Sequence, residues 1–393
     1  MSRLASALLL AAVPLAGCGG DVSTPFADDD RYDPAVIERE RTEASWRRSA
    51  ERDRAARGGA PDGASQNAGD PEGDGAVLQP AAARDEPETL AHITAAAVNA
   101  PPRLPLRGGS GPSVLRIQIL LDRVSFSPGI LDGYWGKNTE KAVYWFQHAH
   151  GLEPTGRVDD ATYARLRELA EDGEPVMLYG LSADDLRGPF VSIPRDIYAQ
   201  AGLRCLCYES PLELVSERFH STPELVAQLN PGVDLGRLEE GRTLWVPNAD
   251  EAPPPAGRVA RIVVSRRGFY THALDAVGRI LFHFPSTLGS RYDPSPDGRT
   301  RVVGIVRNPH FHYQPKLFSE VPDHMPEAML QPGPNSPVGV VWIALSKRHY
   351  GIHGTREPRS IGYTSSHGCV RLTNWDARLL ARHAAKRTPV EFR

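Results

Sequence analysis

Several features that mark particular classes of protein are scarce or missing in this sequence of 393 residues. Lys and Arg total 45 against 48 Asp and Glu, so a net charge of -3 gives no basic surface to hold a nucleic acid. The four cysteines are too few and too scattered for a disulfide framework. No apolar run reaches the roughly 18 residues of a permanent membrane span. Aromatics make up only 7%, whereas 36 Gly and 35 Pro indicate that only part of the chain folds.

The start of the chain has the pattern of an export signal. Arg3 precedes a largely apolar run over residues 4–16, which is too short for a stable span and is typical of a secretory signal peptide. The run ends in Leu-Ala-Gly-Cys at residues 15–18, which resembles the bacterial lipobox. The resemblance implies that residues 1–17 are a lipoprotein signal peptide and that Cys18 becomes acylated after cleavage. Two or more acyl chains on this residue would hold the protein on a membrane far better than one chain does.

A lipid anchor on Cys18 predicts the compartment. Gly19, rather than Asp, follows the cysteine, and the same resemblance implies onward transport to the outer membrane. We therefore expect a membrane-attached protein on the periplasmic face of the cell envelope. The alternative is an ordinary signal peptide with a chance cysteine.

Residues 18–112 are predicted to be a disordered tether. Phe26, Tyr32 and Trp46 are the only aromatics from residue 19 to 112, so little apolar surface is available to offset the loss of chain entropy. Some ninety flexible residues have an end-to-end distance on the order of 50 Å. Such a tether would carry a folded domain from the membrane to the cell-wall polymer.

The pattern becomes regular at residue 113 and predicts a small three-helix module over 113–171. An apolar helical stripe begins at Val114, a second contains Phe146, and a third follows Asp159 with Leu166 facing inward. The segment closely resembles the peptidoglycan-binding type 1 module in Asp132-Gly133-Tyr134-Trp135-Gly136, Thr139, Ala142-Val143, Phe146-Gln147, Gly151-Leu152, Gly156, Val158-Asp159 and Thr162. This resemblance implies peptidoglycan as a partner.

A second small unit is predicted over 190–249. Ser210 caps a helix with Glu213 three residues on, Thr222 begins another helix that ends near Asn230, and Thr243–Pro247 closes the unit as a strand. This order resembles a degenerate LysM domain, a fold that lies along glycan chains, although its first strand is not evident. A carbohydrate-binding role and a spacer role both stay open.

Two of the four cysteines, Cys205 and Cys207, lie in this unit. Two residues apart, they would close too small a ring for an easy disulfide, and no second pair completes a zinc site. We expect them to be buried or without a function.

A Pro-rich linker at 251–257 separates this unit from a mainly β domain over 258–393. Short runs rich in β-branched and aromatic residues alternate with Gly, Pro and Asp. They predict strands at 261–265, 270–273, 279–283, 301–306, 340–345 and 388–392, with a helix after Asn374. The whole chain is thus predicted to be a multidomain α+β protein.

The strongest chemical signal is His353, followed sixteen residues later by Cys369. A thiol near neutral pH is only a few per cent thiolate, so a nucleophilic cysteine needs a base or a cation nearby. His353 can take the thiol proton and later give it to a leaving amine. Gly354 and Gly368 let the backbone approach an acyl group and offer N–H donors to an oxyanion. Arg371 is a fixed cation suited to a peptide carboxylate.

Together these residues closely resemble the active-site motif of the L,D-transpeptidases with a YkuD-type catalytic domain. The matches, between about 261 and 392, are Pro332-Gly333-Pro334-Asn335-Ser336-Pro337-Val338-Gly339, Trp342-Ile343, Tyr350-Gly351-Ile352-His353-Gly354-Thr355, Ser366-His367-Gly368-Cys369-Val370-Arg371 and Leu372-Thr373-Asn374-Trp375-Asp376-Ala377. The resemblance implies a β-sandwich-like domain with the motif on one sheet edge. It also implies that no metal or organic cofactor is needed.

The resemblance further implies a role for each motif residue. Cys369 would attack the carbonyl of the third residue of a peptidoglycan stem tetrapeptide, release the terminal D-alanine and hold the stem as a thioester. His353 would move the proton, oriented by the Gly354 carbonyl. The remaining roles would be an oxyanion site shaped by His367, Gly368 and Ser366, and substrate contacts from Ser366, Arg371 and Tyr350.

Three other readings stay open. Water could resolve the same acyl-enzyme, which would give an L,D-carboxypeptidase or a crosslink-cleaving hydrolase. The wall-binding modules could act alone beside an inert third domain, although Cys369 and both histidines argue against that. A zinc site built from His353, His367 and Cys369, with His310 and His312 as further ligands, lacks the usual ligand spacing.

Overall fold

The computed structural model describes residues 93–170, 173–249, 257–318 and 321–393. The predicted signal peptide, Cys18 and most of the predicted tether lie outside the described residues. Within these ranges, no helix has both the length and the apolar character needed to cross a bilayer.

The last part of the predicted tether is folded. Helix α1 (Ala95–Asn99) is capped by Thr94, and its Val98 is buried. The Asn99 side chain exchanges hydrogen bonds of 3.0 and 2.9 Å with the backbone of Val176. The prediction of a disordered tether up to residue 112 is therefore wrong. The short helix is stabilised by Val176, a partner 77 residues away that the composition of the segment does not indicate.

Three helices follow, and they confirm the predicted three-helix module: α2 (Pro112–Arg123), α3 (Lys137–Ala149) and α4 (Asp160–Leu169). Two buried glutamines fix the turns between them. Gln118 Oε1 accepts a hydrogen bond from the Gly133 N–H at 2.8 Å, and Gln147 Oε1 accepts one from the Gly156 N–H at 2.9 Å. Asp159 caps α4 by accepting from the Thr162 N–H at 2.8 Å.

The next unit is built on the antiparallel pair β1 (Val176–Gly180) and β2 (Thr243–Pro247). Between these strands lie α5 (Ala183–Leu186), α6 (Ile197–Ala201), α7 (Pro211–Arg218) and α8 (Pro223–Leu229). The first strand, which was not evident in the sequence, therefore precedes the predicted start of the unit at residue 190. The long insertion between α5 and α7 separates it from the helices it accompanies.

Cys205 and Cys207 form a disulfide, so the prediction that they would not bridge is wrong. Their Cα atoms are 5.2 Å apart, which lies within the range that disulfides span. Both cysteines are partly exposed, whereas Leu206 between them is fully buried.

The rest of the chain forms the mainly β domain. Its strands are β3 (Arg261–Ser265), β4 (Tyr270–Leu274), β5 (Ile280–Pro285), β6 (Leu288–Gly289), β7 (Gly298–Arg307), β8 (Phe311–Tyr313), β9 (Ala328–Leu330), β10 (Val341–Leu345), β11 (Gly351–His353), β12 (Ser365–Ser366), β13 (Val370–Arg371) and β14 (Pro389–Phe392). Helix α9 (Asn374–His383) packs against β10 and β11. The six predicted strands and the predicted helix are confirmed within a few residues.

Eight of these strands form one sheet in the order β13-β11-β10-β7-β14-β3-β4-β5. Strand β13, which carries the motif, is terminal in this order. Its outer edge is closed, because the backbone of Arg371 exchanges hydrogen bonds of 2.8 and 3.0 Å with that of Thr287, just beyond β5. The two ends of the sheet therefore meet, and the sheet curls back on itself.

One apolar core joins the three-helix module to the β domain. Phe126 and Phe146 belong to the same buried cluster as Ile262, Phe282 and Phe284. Helix α3 also packs directly against β5. The two modules are therefore not independent domains joined by a linker.

Candidate active site

Two short parallel strands bring the predicted catalytic residues together. Strand β11 ends at His353, and β13 begins one residue after Cys369. Their register pairs Ile352 with Val370 and His353 with Arg371. Cys369 therefore lies beside the first residue of β11, the strand that ends at His353.

A cavity of about 450 Å³ opens over these strands. Five predicted site residues line it: Cys369, His353, His367, Ser366 and Arg371. Gly354 and Gly368 are the backbone neighbours of His353 and Cys369. The apolar part of the lining comprises Ile197, Val306, Pro309, Phe311, Tyr313, Leu317, Phe318, Pro337, Val338 and Trp342.

The orientation of His353 is set by its neighbour in sequence. Its Nδ1 lies 2.7 Å from the Gly354 carbonyl oxygen. Because a carbonyl only accepts, Nδ1 carries the proton and Nε2 is left as the acceptor. The ring also stacks on Trp342, with centroids 5.3 Å apart and planes 19° apart. Burial, reinforced by the nearby Arg371 cation, lowers the pKa of His353 to about 3.

The thiol of Cys369 is also held in its neutral form. Burial raises the pKa of Cys369, although a backbone hydrogen bond involving Gly351 and the charge of Arg371 act in the opposite direction. Sγ lies 3.6 Å from the carbonyl oxygen of His349, to which the thiol donates. The site therefore contains a neutral imidazole and a neutral thiol at neutral pH.

The backbone that carries His353 is packed tightly against Asn374. A Cβ on Gly354 would lie 2.2 Å from Asn374 Oδ1, and a Cβ on Gly339 would lie 2.0 Å from it. At Gly339 the same Cβ would also lie 2.7 Å from the carbonyl carbon of Gly354, so only glycine fits there, whereas a side chain at Gly354 requires the Asn374 amide to move. Asn374 Oδ1 also accepts a hydrogen bond from the Val340 N–H at 3.2 Å, so this side chain fixes the turn before β10.

The turn that presents Cys369 is fixed by two serines. Gly368 has a φ of 101°, and its carbonyl accepts a hydrogen bond from Ser295 Oγ at 2.9 Å. Ser366 Oγ donates to the carbonyl of Cys369 at 2.6 Å. The Ser366 hydroxyl therefore holds the turn that presents Cys369.

Tyr350, which we predicted to bind substrate, does not line the cavity. Its ring lies where a side chain on Gly368 would be, with Cε1 2.7 Å from an ideal Cβ at that position. The Lys347 ammonium lies over this ring, 5.1 Å from its centroid. The structure thus places Tyr350 behind the Cys369 turn, where it packs against the backbone.

Sequence reasoning missed three contributors to this site. His349 presents its carbonyl to the thiol from a left-handed conformation with a φ of 66°. Ser295 supports Gly368 from a loop between strands. Ile197 comes from the preceding unit. No local pattern signals these residues, because each reaches the cavity through tertiary packing.

The described residues contain no group of three or more His, Cys, Asp or Glu side chains arranged to hold a metal ion. His312, which we considered as a zinc ligand, instead lies 2.7 Å from a carboxylate oxygen of Glu327.

Two protein families match this chain. The L,D-transpeptidase catalytic domain of the YkuD type matches residues 259–392. A putative peptidoglycan binding domain matches residues 110–166. The first match contains the whole of the candidate site except Ile197.

Individual relatives agree with this assignment. A putative L,D-transpeptidase YkuD of Bacillus licheniformis is 32% identical over 173 residues, which are 43% of this chain and 86% of that protein. A probable L,D-transpeptidase ErfK/SrfK of Salmonella typhimurium is 29% identical over 46% of this chain and 59% of that protein. A solved L,D-transpeptidase of Xylanimonas cellulosilytica is 17% identical over 75% of this chain and 99% of its own, at a TM-score of 0.33.

Proposed function

Because this chain belongs to the L,D-transpeptidase family of the YkuD type, we propose that it is a cysteine-dependent acyltransferase acting on peptidoglycan stem peptides. The observation that supports this most directly is the contact between His353 Nδ1 and the Gly354 carbonyl. It leaves Nε2 unprotonated in a cavity that also contains the Cys369 thiol. A base and a nucleophile are thus present in the protonation states that the reaction needs.

In the first half-reaction, Cys369 attacks the carbonyl carbon of the third residue of a stem tetrapeptide. The thiol proton passes to Nε2 of His353 as the C–S bond forms. The C–N bond to the terminal D-alanine then breaks, and His353 returns the proton to the leaving amine. His367 and Gly368 flank the nucleophile and shape the oxyanion site, and Arg371 binds a stem carboxylate or fixes the turn.

In the second half-reaction, an amine of another stem attacks the thioester. His353 takes the amine proton and returns it to the sulfur, which restores the thiol and leaves a 3-to-3 crosslink. A water molecule in place of the amine gives an L,D-carboxypeptidase or a hydrolase from the same acyl-enzyme.

The test is incubation of the full chain with purified tetrapeptide-rich peptidoglycan, followed by mass analysis of the products. Crosslinked dimers support the transpeptidase, tripeptides alone indicate the hydrolase, and no product contradicts both. A carbapenem, which acylates members of this family at the cysteine, provides a second readout as a mass increase on the peptide that contains Cys369.

Variants assign the two catalytic roles. Cys369→Ala should abolish the adduct and all turnover, and survival of activity would overturn the proposal. His353→Ala should slow acylation by about 10²-fold or more if His353 is the base. His324→Ala, which changes an exposed histidine, is the matched control. Acylation at full rate in His353→Ala would move the base role to His367.

We further propose that the preceding segments bring the enzyme to its polymer. The three-helix module binds peptidoglycan, the LysM-like unit lies along glycan, and acylated Cys18 attaches the protein to the periplasmic side of the envelope, at the outer membrane. Cys18→Ser should release the protein from the membrane fraction. The full chain should also sediment with insoluble peptidoglycan, and recovery no greater than that of an unrelated protein would contradict wall binding.

A further inference from the structure

One wall of the reaction cavity comes from outside the β domain. Ile197 in α6 lines the cavity together with Cys369 and His353. It belongs to the segment from Ile193 to Cys207, which we name the disulfide segment. This segment is the insertion between α5 and α7 in the LysM-like unit.

The disulfide segment packs against β8 and β9 through its own apolar cluster. Leu206 is fully buried there with Tyr313 of β8 and Leu330 of β9. Around these three lie partly buried side chains from both parts: Ile193, Ile197, Tyr198, Ala201, Leu203, Phe311, Phe318 and Ala328. Because Tyr313, Phe311 and Phe318 also line the cavity, the same cluster supports its wall from behind.

Backbone hydrogen bonds fix the position of Leu206. Its N–H donates to the Pro332 carbonyl at 3.0 Å, and its carbonyl accepts from the Asn335 N–H at 2.9 Å. The Asn335 side chain donates to the Cys207 carbonyl at 2.9 Å. Leu206 is therefore bound on both sides to the loop that continues into Pro337 and Val338 of the cavity lining.

The backbone of Leu206 lies so close to Gly333 that no side chain fits at position 333. A Cβ at this position would lie 2.0 Å from the Leu206 carbonyl oxygen, and the φ of Gly333 is 155°. The Tyr198 hydroxyl adds a further tie, donating to the Pro326 carbonyl at 3.0 Å. The bond between Cys205 and Cys207 closes the chain on either side of Leu206 and limits the conformations this residue can adopt.

We infer that Leu206, held between the bonded Cys205 and Cys207, is a positioning residue for the cavity wall formed by β8, β9 and the loop at 332–338. This inference rests on the proposed function, because the affected ligand is the donor stem peptide. The disulfide segment touches the wall rather than the thiol or the imidazole. Its loss should therefore weaken binding of the donor more than it slows the chemical step.

The test uses the full chain and two variants, Cys205→Ser/Cys207→Ser and Leu206→Ala. In both we expect the KM for a stem tetrapeptide to rise about tenfold or more, while kcat changes by less than about threefold. Amide hydrogen exchange in β8 and β9, followed by mass spectrometry, should accelerate about tenfold or more. Leu178→Ala, at an exposed leucine in β1, is the matched control and should change neither quantity.

A reductant distinguishes the effect of losing the disulfide from any other effect of the two Ser substitutions. Treatment with a phosphine reductant should raise the KM and the exchange rate of the wild type and leave those of the double Ser variant as they are. Unchanged exchange in β8 and β9 after loss of the disulfide would overturn the inference. A wild type that shows the expected exchange pattern but no turnover of the tetrapeptide would overturn only the proposed function, so the two failures are distinguishable.

Discussion

At the scale of single residues, burial sets the protonation of the catalytic pair. Burial lowers the pKa of His353 to about 3 and raises the pKa of Cys369, so both shifts favour the neutral forms. A preformed thiolate–imidazolium pair would require the opposite shifts. In the reaction we propose, the thiol proton is therefore transferred to His353 during attack, which is general-base catalysis.

This protonation state predicts the pH dependence of acylation. His353 is neutral at every pH well above its pKa of about 3, so the acylation rate should show no inflection near pH 6.5. From pH 5 to 8 the rate of carbapenem acylation should therefore be nearly flat. The measurement is the second-order rate constant at each pH, with intact-protein mass as the readout. A bell-shaped profile with a limb near pH 6.5 would contradict the neutral pair.

The glycine after the catalytic histidine predicts the effect of a single substitution. A Cβ on Gly354 would lie 2.2 Å from Asn374 Oδ1. Gly354→Ser should displace the His353 backbone and lower kcat/KM by about 10²-fold, since misplacement of a catalytic group by about 1 Å has such a cost. Gly180→Ser, at an open glycine in β1, is the control. Full activity of Gly354→Ser would show that Asn374 can move aside.

At the scale of secondary-structure elements, a buried carboxylate connects the unit built on β1 and β2 to the catalytic domain. Glu217 in α7 is 11% exposed. Its Oε2 accepts a hydrogen bond from Asn374 Nδ2 at 2.9 Å, and its Oε1 accepts one from the Tyr208 hydroxyl at 2.9 Å. Asn374 in turn packs over Gly354. Helix α7 is thereby linked to the residue that orients His353.

This link predicts that Glu217→Ala weakens both stability and catalysis. The substitution removes the acceptor of the Tyr208 hydroxyl and one of the two acceptors of the Asn374 amide, whose Nδ2 also donates to the Pro334 carbonyl at 3.1 Å. The expected cost is about 1 to 3 kcal/mol of unfolding free energy. Catalysis should fall through kcat, because Asn374 positions His353 and does not contact the donor. Glu217→Gln, which keeps one acceptor oxygen, should recover part of both losses. Urea denaturation and steady-state kinetics provide the measurements, and an unchanged kcat in Glu217→Ala would exclude the link.

The sequence predicted those elements whose signals are local. Strands such as Arg261–Ser265 combine β-branched residues with flanking turns, and the helix predicted after Asn374 is α9. The motif likewise brought His353 and Cys369 together. Three features were not predicted because partners distant in the chain fix their positions: α1, β1 and the place of Ile197 in the cavity wall. The spacing of two residues suggested too small a ring for a Cys205–Cys207 bond, but the local backbone holds the two Cα atoms 5.2 Å apart, which a disulfide can span.

At the scale of the whole molecule, helix α3 of the three-helix module packs against β4 and β5 of the β domain. Lys141 in α3 is fully buried, and its Nζ donates to the carbonyls of Gly268 and Phe269 at 3.2 and 3.3 Å. Trp145 packs edge-on against His272, with centroids 4.6 Å apart. This interface removes titratable groups from water, so packing of the modules is coupled to pH.

Two histidines at this interface determine the sign of that coupling. His272 Nε2 and His283 Nδ1 are 2.9 Å apart, and both side chains are buried. Burial lowers the pKa of His272 to about 3 and that of His283 well below its usual range, with Lys141 and His148 adding like charge. In the unfolded chain both titrate near pH 6.5. Between about pH 3 and 6.5 the unfolded state thus binds more protons, and stability falls as the pH is lowered.

We therefore expect the free energy of unfolding to decrease on acidification from pH 7 to 5, with a slope of up to about 1.4 kcal/mol per pH unit for each histidine. His272→Phe/His283→Phe, which replaces both partners at once, should flatten this slope without leaving a lone buried ring nitrogen. The buried His353 should account for the pH dependence of the unfolding free energy that remains in the double variant. Lys141, whose pKa burial lowers to about 7, acts mainly above this window. The measurement is urea denaturation at each pH, with exposed His324→Gln as the control, and an equal slope in the double variant and the wild type would show that these histidines do not set it.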